Sequence, residues 1–454
     1  MFSFHEAASW LGARLDLEDS TKRPAGVSID TRTLQPGDLF IALQGPARDG
    51  HDYLDDAFQK GASGAVVSDK WDARNANYKN LLCVTDPEKG LGLLASQYFS
   101  RHKVPLVGVT GSIGKTTTKQ FLAYLLGLKF KPLASAGNFN NQLGVPLTLL
   151  SLRAEHDICI AEMGASRPGD IAYLASLAQP DAAVITRVSP AHLEGFGTLD
   201  AVYKGKAEIA ANLAENSFLV IPDDDPILSA EVSHTRSKVI KVGTTTAANY
   251  RYTDVHVSGH TVEFRFCDRY RFKFSSMAAF YVRNAAMALA VFESLGGRLE
   301  DVPEYWKGLE LMSGRFEQKW IGDGLCVIDD CYNASPASFQ DALQTFDALD
   351  AKGRKILVFS DMLEMGKDEE AYHGQLGEAI SRCKLDCVVA YGSRAAHSLK
   401  TLKEMRPEAT VYKLSDPEET TQFLKGYLQP GDLLLLKASR GMRMDKVLRS
   451  LEAV

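Results

Sequence analysis

The sequence lacks the features that mark membrane, nucleic-acid-binding and secreted proteins. No apolar run approaches the ~20 residues of a membrane span, and no basic segment followed by an apolar one opens the chain, so we expect no signal peptide. The net charge of −6 offers no basic surface for nucleic acid. The seven cysteines are scattered, and a lone close pair, Cys383 and Cys387, argues against a zinc site. We therefore expect a cytoplasmic protein with reduced thiols.

A glycine-rich segment is the most informative feature that is present. It follows the apolar run 104–109, precedes a helical pattern, and comprises Thr110, Gly111, Ser112, Ile113, Gly114, Lys115, Thr116 and Thr117. Strand, glycine turn and helix are the context of a phosphate-binding loop. In such a loop Lys115 reaches the outer phosphates of a nucleoside triphosphate, and the Thr116 hydroxyl holds magnesium.

This loop departs from the common G-x-x-x-x-G-K-[ST] pattern, because Val109 stands where that pattern begins with glycine. The form T-G-S-x-G-K-T-T is similar to that of amide-forming ligases. The alternative is a chance glycine turn beside a lysine. The flanking strand and helix favour the phosphate loop.

The pattern along the 454 residues predicts an α/β fold with three domains, at 1–85, 86–315 and 316–454. The first is a small α/β unit. The second alternates strands and helices, as a mainly parallel, mononucleotide-binding sheet requires, and residues 250–274 alternate like an antiparallel hairpin. A second alternating series predicts a separate, Rossmann-like C-terminal domain.

Two metal-binding side chains are predicted at the carboxyl edge of the central sheet. Glu162 follows the strand 158–161, and His192 follows a strand that ends near Thr186. Ligands of open α/β sheets bind at this edge, and a carboxylate and a neutral imidazole both suit a metal ion. For Glu162 a surface glutamate is an equally good alternative from this segment alone. For His192 a solvated loop histidine is the commoner case.

Two lysines of the predicted helix 198–215 differ in orientation. At ~100° per residue, Lys206 shares an apolar stripe with Val202 and Ile209, whereas Lys204 lies on the opposite face. Lys206 can snorkel to the edge of that stripe. Alternatively, its desolvated amine can react with carbon dioxide to give a carbamate that binds metal. Periodicity alone favours snorkelling.

Polar groups also gather where later elements begin or end. Asn284 begins a predicted helix, where asparagine is usually a cap, and Arg315 lies at the predicted domain junction, where it can reach phosphates or face solvent. Polar clusters follow three C-terminal strands, at 329–333, 360–366 and 437–440. One such cluster is commonly a solvated loop, but three at successive strand ends indicate a binding edge.

Together these segments resemble the Mur ligase family over almost the full length. The resemblance rests on the phosphate loop and on the segments 28–32, 49–51, 138–146, 162–164, 191–193, 206–209, 314–315, 330–334 and 361–364. The D-M-L-E and Y-N-A pieces are the most specific. A D-N-P-R motif, expected in the ligases that add the third amino acid, is absent. Within the family, the resemblance is to ligases that join D-alanyl-D-alanine to UDP-N-acetylmuramoyl-tripeptide in peptidoglycan precursor synthesis.

The resemblance implies a two-step reaction that uses ATP and Mg²⁺. ATP phosphorylates the carboxylate that ends the tripeptide, and the amine of the dipeptide then attacks the acyl phosphate. The N-terminal domain would bind the UDP-sugar, the central domain ATP, and the C-terminal domain the dipeptide and part of ATP. We expect a monomer that binds neither nucleic acid nor membrane.

The resemblance also assigns roles to the residues that match it. The implied catalytic residues are Lys115, His192, Lys206, Arg315 and Asp330. ATP contacts are implied for the phosphate loop (110–117), Asn284, Arg315, Asp330 and Asn333. Substrate contacts are implied for Ser28, Thr31, Arg32, Asn138, Asn140, Asn141, Ala165, Asp361, Glu364, Lys437, Ser439 and Arg440. Magnesium would be held by Thr116, Glu162, His192 and a carbamylated Lys206.

Four positions depart from the family pattern without removing a group that the chemistry needs. Arg283 replaces a histidine on the adenine side, Ser335 an asparagine, and Ser360 and Ala438 each a glycine.

Three other functions compete with this interpretation. A folylpolyglutamate-type ligase should lack the N-terminal domain. A P-loop ATP hydrolase gives no reason for a lysine on an apolar face beside a metal site. A catalytically silent nucleotide-sugar binding protein does not need Lys115, Thr116, Glu162 and His192 together.

Overall fold

Three β-sheets organise the computed structural model, which describes residues 1–16, 21–71, 78–322 and 324–453. The predicted α/β fold class is confirmed. The N-terminal sheet ends at Val84, the central sheet extends from Leu106 to Ser275, and the C-terminal sheet begins at Glu317. The predicted domain boundaries after residues 85 and 315 therefore fall between sheets. The boundaries themselves stay predictions.

The N-terminal sheet has five short strands in the order β1-β5-β4-β3-β2, and β1 alone runs antiparallel to its neighbour. Its elements, with the helix that leads out of it, are α1 (Phe4–Leu11), β1 (Arg14–Asp16), β2 (Val27–Ser28), β3 (Leu39–Ile41), α2 (Leu54–Gln59), β4 (Gly64–Ser68), β5 (Leu81–Val84) and α3 (Pro87–Ser100). A capping box of Ser3 and Glu6 starts α1. Helix α3 connects this sheet to the central unit, and its buried Tyr98 hydroxyl donates to Leu152 O in the central unit at 2.8 Å.

The central sheet has nine strands in the order β14-β13-β12-β11-β10-β9-β6-β8-β7. Its elements are β6 (Leu106–Thr110), α4 (Lys115–Leu126), β7 (Pro132–Ala134), α5 (Gly144–Leu150), β8 (Ile158–Glu162), α6 (Asp170–Leu177), β9 (Ala182–Ile185), α7 (Leu193–Phe196), α8 (Leu199–Ala211), β10 (Phe218–Pro222), α9 (Pro226–Glu231), β11 (Lys238–Gly243), β12 (Tyr250–Ser258), β13 (Thr261–Phe266), β14 (Tyr270–Ser275) and α10 (Tyr281–Ser294). Strands β6, β8 and β9 are buried along their whole length, as parallel strands covered by helices must be. The predicted hairpin is a three-stranded antiparallel meander, β12 to β14, at the edge of this sheet.

The C-terminal sheet has six strands in the order β15-β16-β20-β17-β18-β19. Its elements are β15 (Glu317–Ile321), β16 (Leu325–Asp330), α11 (Pro336–Ala348), β17 (Lys355–Phe359), α12 (Glu369–Ser381), β18 (Cys387–Tyr391), α13 (Ala395–Met405), β19 (Val411–Leu414), α14 (Pro417–Tyr427), β20 (Leu433–Lys437) and α15 (Met444–Glu452). Strands β16, β20, β17 and β18 form the interior of the sheet, and β15 and β19 are its edge strands. Both edge strands are short and partly polar, so they lack the apolar run that identifies a buried strand.

Short 3-10 turns complete the description, at Gly50–Tyr53, Leu299–Asp301, Gly366–Asp368 and Arg440–Met442. Across the described ranges, none of the helices combines the length and the apolar character that crossing a membrane requires.

Candidate active site

The glycine-rich segment forms a tight turn between β6 and α4, as predicted. Gly111 and Gly114 have φ values of +137° and +87°. A Cβ at Gly111 would lie 2.1 Å from Thr186 Oγ1, and one at Gly114 would lie 2.3 Å from Asn284 Nδ2. The turn therefore needs glycine at both positions, for its conformation and for its close neighbours.

The loop lysine is folded back onto its own loop. Lys115 Nζ donates hydrogen bonds to Gly111 O at 2.8 Å and Ser112 O at 3.3 Å. Desolvation lowers the pKa of its ammonium. The next residue, Thr116, accepts a hydrogen bond from Arg315 Nη2 at 3.1 Å. Both groups expected to meet phosphate or magnesium thus have protein partners that a nucleotide would replace.

Glu162 is buried at the end of β8, and only one of its two carboxylate oxygens accepts a hydrogen bond from the described residues. Oε1 accepts a hydrogen bond from Asn140 Nδ2 at 2.8 Å. Oε2 lies 3.5 Å from Lys119 Nζ, an ion-pair contact, but has no hydrogen-bond partner among the described residues. A buried carboxylate oxygen without a hydrogen bond is a suitable ligand for a cation.

Lys206 is buried, so the predicted snorkelling is wrong. It is 1% exposed, its Nζ donates to Ala165 O at 3.2 Å, and it lies 5.3 Å from the centre of the Phe196 ring. Burial, and secondly the charge of Lys115, hold the pKa of Lys206 well below its usual range. Lys204 is exposed and pairs with Asp200 at 2.8 Å, as the helical periodicity predicts.

His192 meets a carboxylate from the C-terminal unit. Its Nδ1 is paired with Oε2 of Glu364, and this hydrogen bond lowers the pKa of the glutamate. His192 has a φ of +52° and Glu364 one of +62°, a left-handed conformation that is uncommon for residues other than glycine.

Arg315 is positioned by both units at the junction between them. The Tyr281 hydroxyl, on α10, donates to Arg315 O at 2.5 Å, and the guanidinium lies 4.2 Å from the centre of the Tyr332 ring. Arg440 lies 5.7 Å from the same ring. Tyr332 was missed as a site residue, although the polar cluster at 329–333 was the available signal.

The buried Lys437 pairs with the partly buried Asp330 on the C-terminal side of the cleft. Lys437 Nζ lies 2.5 Å from Asp330 Oδ2 and donates to Asn333 O at 3.2 Å. Asp330 Oδ1 accepts a hydrogen bond from Phe316 N at 3.2 Å. This pair therefore holds the backbone directly after Arg315 and at Asn333. Its predicted contacts with ATP and substrate stay predictions.

A cleft of about 400 Å³ between the central and C-terminal units brings most of these groups together. The predicted residues that line it are Ser112, Ile113, Gly114, Lys115, Thr116, Asn140, Asn141, Glu162, Ala165, His192, Arg315, Asn333, Glu364, Ser439 and Arg440. Tyr332 and Asp170, which were not predicted, also line it. Lys206 lies directly behind Ala165.

Other predicted residues lie beside the cleft rather than in its wall. Thr110 and Thr117 are buried in the loop, and Asn284 donates from Nδ2 to Thr118 Oγ1 at 2.9 Å. Asp361 caps α13, because its Oδ1 accepts from Arg394 N and Ala395 N at 3.1 and 2.8 Å. Their predicted ligand contacts stay predictions. Asn138 is exposed beyond the cleft.

The predicted UDP-sugar residues lie in the N-terminal unit, outside the lining of the cleft. Ser28 and Thr31 are buried, and Ser28 Oγ donates to Asp30 O at 3.0 Å. Arg32 is exposed and pairs with Asp30 at 2.5 Å, which lowers the pKa of the aspartate to about 2. An extended substrate would have to connect this region to the cleft.

The described part of the chain contains no group of three or more His, Cys, Asp and Glu side chains arranged to hold a metal ion. Magnesium at nucleotide sites usually takes only one or two carboxylates, with phosphate and water as its other ligands. Thr116 and Glu162 line the same cleft. The Thr116 hydroxyl and Glu162 Oε2, which accepts no hydrogen bond from the described residues, fit a magnesium ion that takes only one carboxylate from the protein.

Comparison with known proteins identifies the class to which this cleft belongs. Three family models match: the Mur ligase family catalytic domain at 24–99, the Mur ligase middle domain at 109–292, and the Mur ligase glutamate ligase domain at 314–440. The chain belongs to the Mur ligase family of ATP-dependent ligases, which form a C–N bond.

Relatives of known activity are similar over nearly the whole chain. The UDP-N-acetylmuramoyl-tripeptide–D-alanyl-D-alanine ligase of Bacillus subtilis is 34% identical, over 94% of this chain and 93% of its own. The enzyme of the same name from Escherichia coli is 33% identical, over 94% and 93%.

Solved structures agree in fold. MurF from Acinetobacter baumannii superposes with a TM-score of 0.89 at 25% identity, covering 100% of this chain and 99% of its own. MurF from Thermotoga maritima in complex with ADP has a TM-score of 0.81 at 31% identity, covering 95% and 97%.

Proposed function

We propose that this chain uses ATP and Mg²⁺ to join D-alanyl-D-alanine to UDP-N-acetylmuramoyl-tripeptide, releasing ADP and phosphate. The main support is the single cleft in which the phosphate loop and Glu162 face Asn333, Glu364 and Arg440. The relatives named for this reaction, similar over nearly the full length, support the choice of substrates.

In the first step, the phosphate loop would position ATP against the carboxylate of the tripeptide. Lys115 exchanges the Gly111 and Ser112 carbonyls for the outer phosphates, and Arg315 adds a second cation from the opposite side. The carboxylate oxygen attacks the terminal phosphorus, the bond to ADP breaks, and an acyl phosphate forms. Charge neutralisation and alignment supply most of the catalysis in such transfers.

Magnesium, when bound, would neutralise phosphate charge and align the transferring group. Thr116 and Glu162 would hold one ion, with Glu162 oriented by Asn140. His192 and Lys206 would support a second. For this, the Lys206 amine adds carbon dioxide and loses a proton, which gives a carbamate. Burial of Lys206 beside the Phe196 ring supports this modification.

In the second step, the dipeptide amine attacks the acyl carbonyl. The new C–N bond forms, the bond between the acyl carbon and the phosphate oxygen breaks, and the amine loses a proton. We assign the positioning of the dipeptide to the C-terminal wall, at Glu364, Ser439 and Arg440. Their location across the cleft from the phosphate loop supports this role.

The three units would share the substrates between them. We assign the UDP-sugar to 1–85, through Ser28, Thr31 and Arg32, ATP to 86–315, and the dipeptide with part of ATP to 316–454. The related Thermotoga maritima structure, which contains ADP, supports nucleotide binding. We also expect a cytoplasmic protein that is a monomer, and sedimentation of the purified protein tests the oligomeric state.

Phosphate release from ATP tests the function directly. It should require both UDP-N-acetylmuramoyl-tripeptide and D-alanyl-D-alanine, and mass spectrometry should find the tripeptide extended by the dipeptide. Release that is indifferent to both would favour a P-loop hydrolase. Release that needs glutamate and a folate instead would keep the mechanism and overturn the substrates.

A further inference from the structure

The contact between His192 and Glu364 crosses the cleft between two units. His192 begins the short helix α7 in the central unit, and Glu364 belongs to the loop 360–366 after β17 in the C-terminal unit. Both residues have positive φ. Left-handed backbone at two non-glycine residues that face each other costs free energy, and such strain concentrates at functional sites.

The loop that carries Glu364 is held in place by the side chains of His373 and Ser439. His373, fully buried, accepts from Met362 N at its Nε2 at 3.0 Å and pairs with Glu369 O through Nδ1 at 2.7 Å. Ser439 Oγ accepts from Leu363 N at 2.9 Å. These contacts present Glu364 to the central unit in one fixed conformation.

The backbones of the two units also meet closely at this point. Glu194 N donates to Glu364 O at 3.4 Å. A Cβ at Gly366, which has a φ of +66°, would approach the backbone and side chain of Leu193 to 3.3 Å. The position of Glu364 against His192 is therefore built into the packing of the two segments.

Glu364 selects between the two ring nitrogens of His192. A carboxylate accepts a hydrogen from Nδ1, which leaves the lone pair on Nε2. Nε2 makes no hydrogen bond within the described ranges, and His192 lines the cleft. In metal sites, a carboxylate on the second ring nitrogen fixes the tautomer and orientation of the ligating histidine.

We propose that Glu364 is a positioning residue that orients His192 for metal, so that the metal site to which His192 belongs is completed only when the C-terminal unit packs against the central unit. This inference rests on the proposed magnesium role of His192. It adds to that role a link between domain closure and metal affinity. The simpler alternative is that Glu364 only docks the two units.

A second ion pair between the same units provides a matched control. Arg187 Nη1, after β9, lies 2.8 to 2.9 Å from both carboxylate oxygens of Asp341 on α11. Like the contact of Glu364, this pair is partly exposed and joins the central and C-terminal units. A docking role predicts the same effect from Asp341→Asn as from Glu364→Ala, whereas the positioning role does not.

The experiment uses Mn²⁺ with ADP bound to the full-length protein, without UDP-tripeptide or dipeptide. Electron paramagnetic resonance measures Mn²⁺ affinity, and spin-echo modulation by nitrogen reports an imidazole ligand. We expect nitrogen modulation in the parent and its loss in His192→Ala. Glu364→Ala should lose it and bind that Mn²⁺ roughly ten- to a hundredfold more weakly. Glu364→Gln, which keeps an acceptor, should show a smaller loss. Asp341→Asn should keep the nitrogen modulation and bind Mn²⁺ less than about sixfold more weakly, the cost of losing one exposed ion pair.

Three results would overturn the proposal: a parent without nitrogen modulation, a Glu364→Ala variant that keeps modulation and affinity, and an Asp341→Asn variant with an equal loss. If Glu364→Ala does not fold, the Glu364→Gln result decides alone, because that variant keeps the side-chain size. The experiment contains neither UDP-tripeptide nor dipeptide, so it does not measure the ligase reaction. A negative result would therefore overturn the role of Glu364 without deciding the proposed function.

Discussion

The two walls of the cleft are built alike but differ in their exposure to water. Each consists of loops at the carboxyl edge of a parallel sheet. On the central wall Glu162 and Lys206 are buried, whereas Glu364 and Arg440 on the C-terminal wall are exposed. Charged groups that act on phosphate gain strength from desolvation. A wall that must admit substrate and release product benefits instead from weak, solvated contacts.

The largest effect should come from the central wall, at Lys206. We expect Lys206→Ala to lower kcat by roughly a hundred- to a thousandfold, because a preorganised charged group is removed from the site. Short-chain carboxylates such as acetate should restore part of the activity by replacing the carbamate. Steady-state phosphate release measures both effects.

Lys204→Ala is the matched control, because Lys204 lies on the same helix and is exposed. It should retain the activity of the parent. Equal kcat for Lys206→Ala and the parent would remove the carbamate from the mechanism and would erase the contrast between the two walls.

A smaller effect is expected at Asn140, which holds Oε1 of Glu162. Asn140→Ala frees the carboxylate to rotate, and the Mg²⁺ concentration needed for half-maximal activity should rise roughly tenfold. Asn141→Ala is the control, because Asn141 Oδ1 instead accepts from Gly144 N at 2.9 Å and stabilises the start of α5. It should cost about 1 kcal/mol of stability without changing the Mg²⁺ requirement.

The same Mg²⁺ requirement in Asn140→Ala and the parent would show that Glu162 does not depend on Asn140. An equal rise in both variants would point to the loop as a whole.

The sequence identified the central wall better than the C-terminal wall for physical reasons. A phosphate loop needs glycines and a lysine at fixed spacing, and helical periodicity alone separated Lys206 from Lys204. Periodicity could not decide whether Lys206 reaches solvent, because that depends on α8 packing beneath Ala165 and Phe196.

On the C-terminal wall, the predicted strand ends located the polar clusters, but they did not predict which residue each side chain contacts. Asp361 caps a helix and Glu364 meets His192. Both contacts join residues far apart in the chain, one of them across two units, so local pattern contains no signal for them. The polar cluster at 329–333 marked the neighbourhood of Tyr332, but it contained no signal for the contacts of this ring with Arg315 and Arg440.

Acid should loosen the C-terminal wall before the central one. Burial lowers the pKa of His373 below its usual value of 6.5. Below that pH the unfolded chain binds a proton that the folded protein excludes, so this contribution to stability is present above pH 6.5 and is lost as the pH falls. The loss can reach about 1.4 kcal/mol per pH unit.

Thermal unfolding of the parent and His373→Asn between pH 7.5 and 5.5 tests this prediction. The variant should be less stable at pH 7.5 but should lose less stability on acidification. An identical pH dependence would mean that His373 has the same pKa in the folded and the unfolded protein. The loop 360–366 would then not be the acid-sensitive part of the wall.

The smallest effect should come from substitution of Asp341, which pairs with Arg187 across the two walls but does not line the cleft. Because its pair with Arg187 is partly exposed, we expect Asp341→Asn to weaken the association of the two walls by about 0.2 to 1 kcal/mol. That cost corresponds to less than about a sixfold rise in the KM for the dipeptide, with kcat little changed. The difference in KM between variant and parent should shrink at high salt, because screening weakens the ion pair of the parent, whereas the neutral variant has no pair to weaken. A drop in kcat as large as that of Lys206→Ala would mean that the C-terminal wall takes part in phosphoryl transfer, and the division between a charged, buried wall and a solvated, movable one would fail.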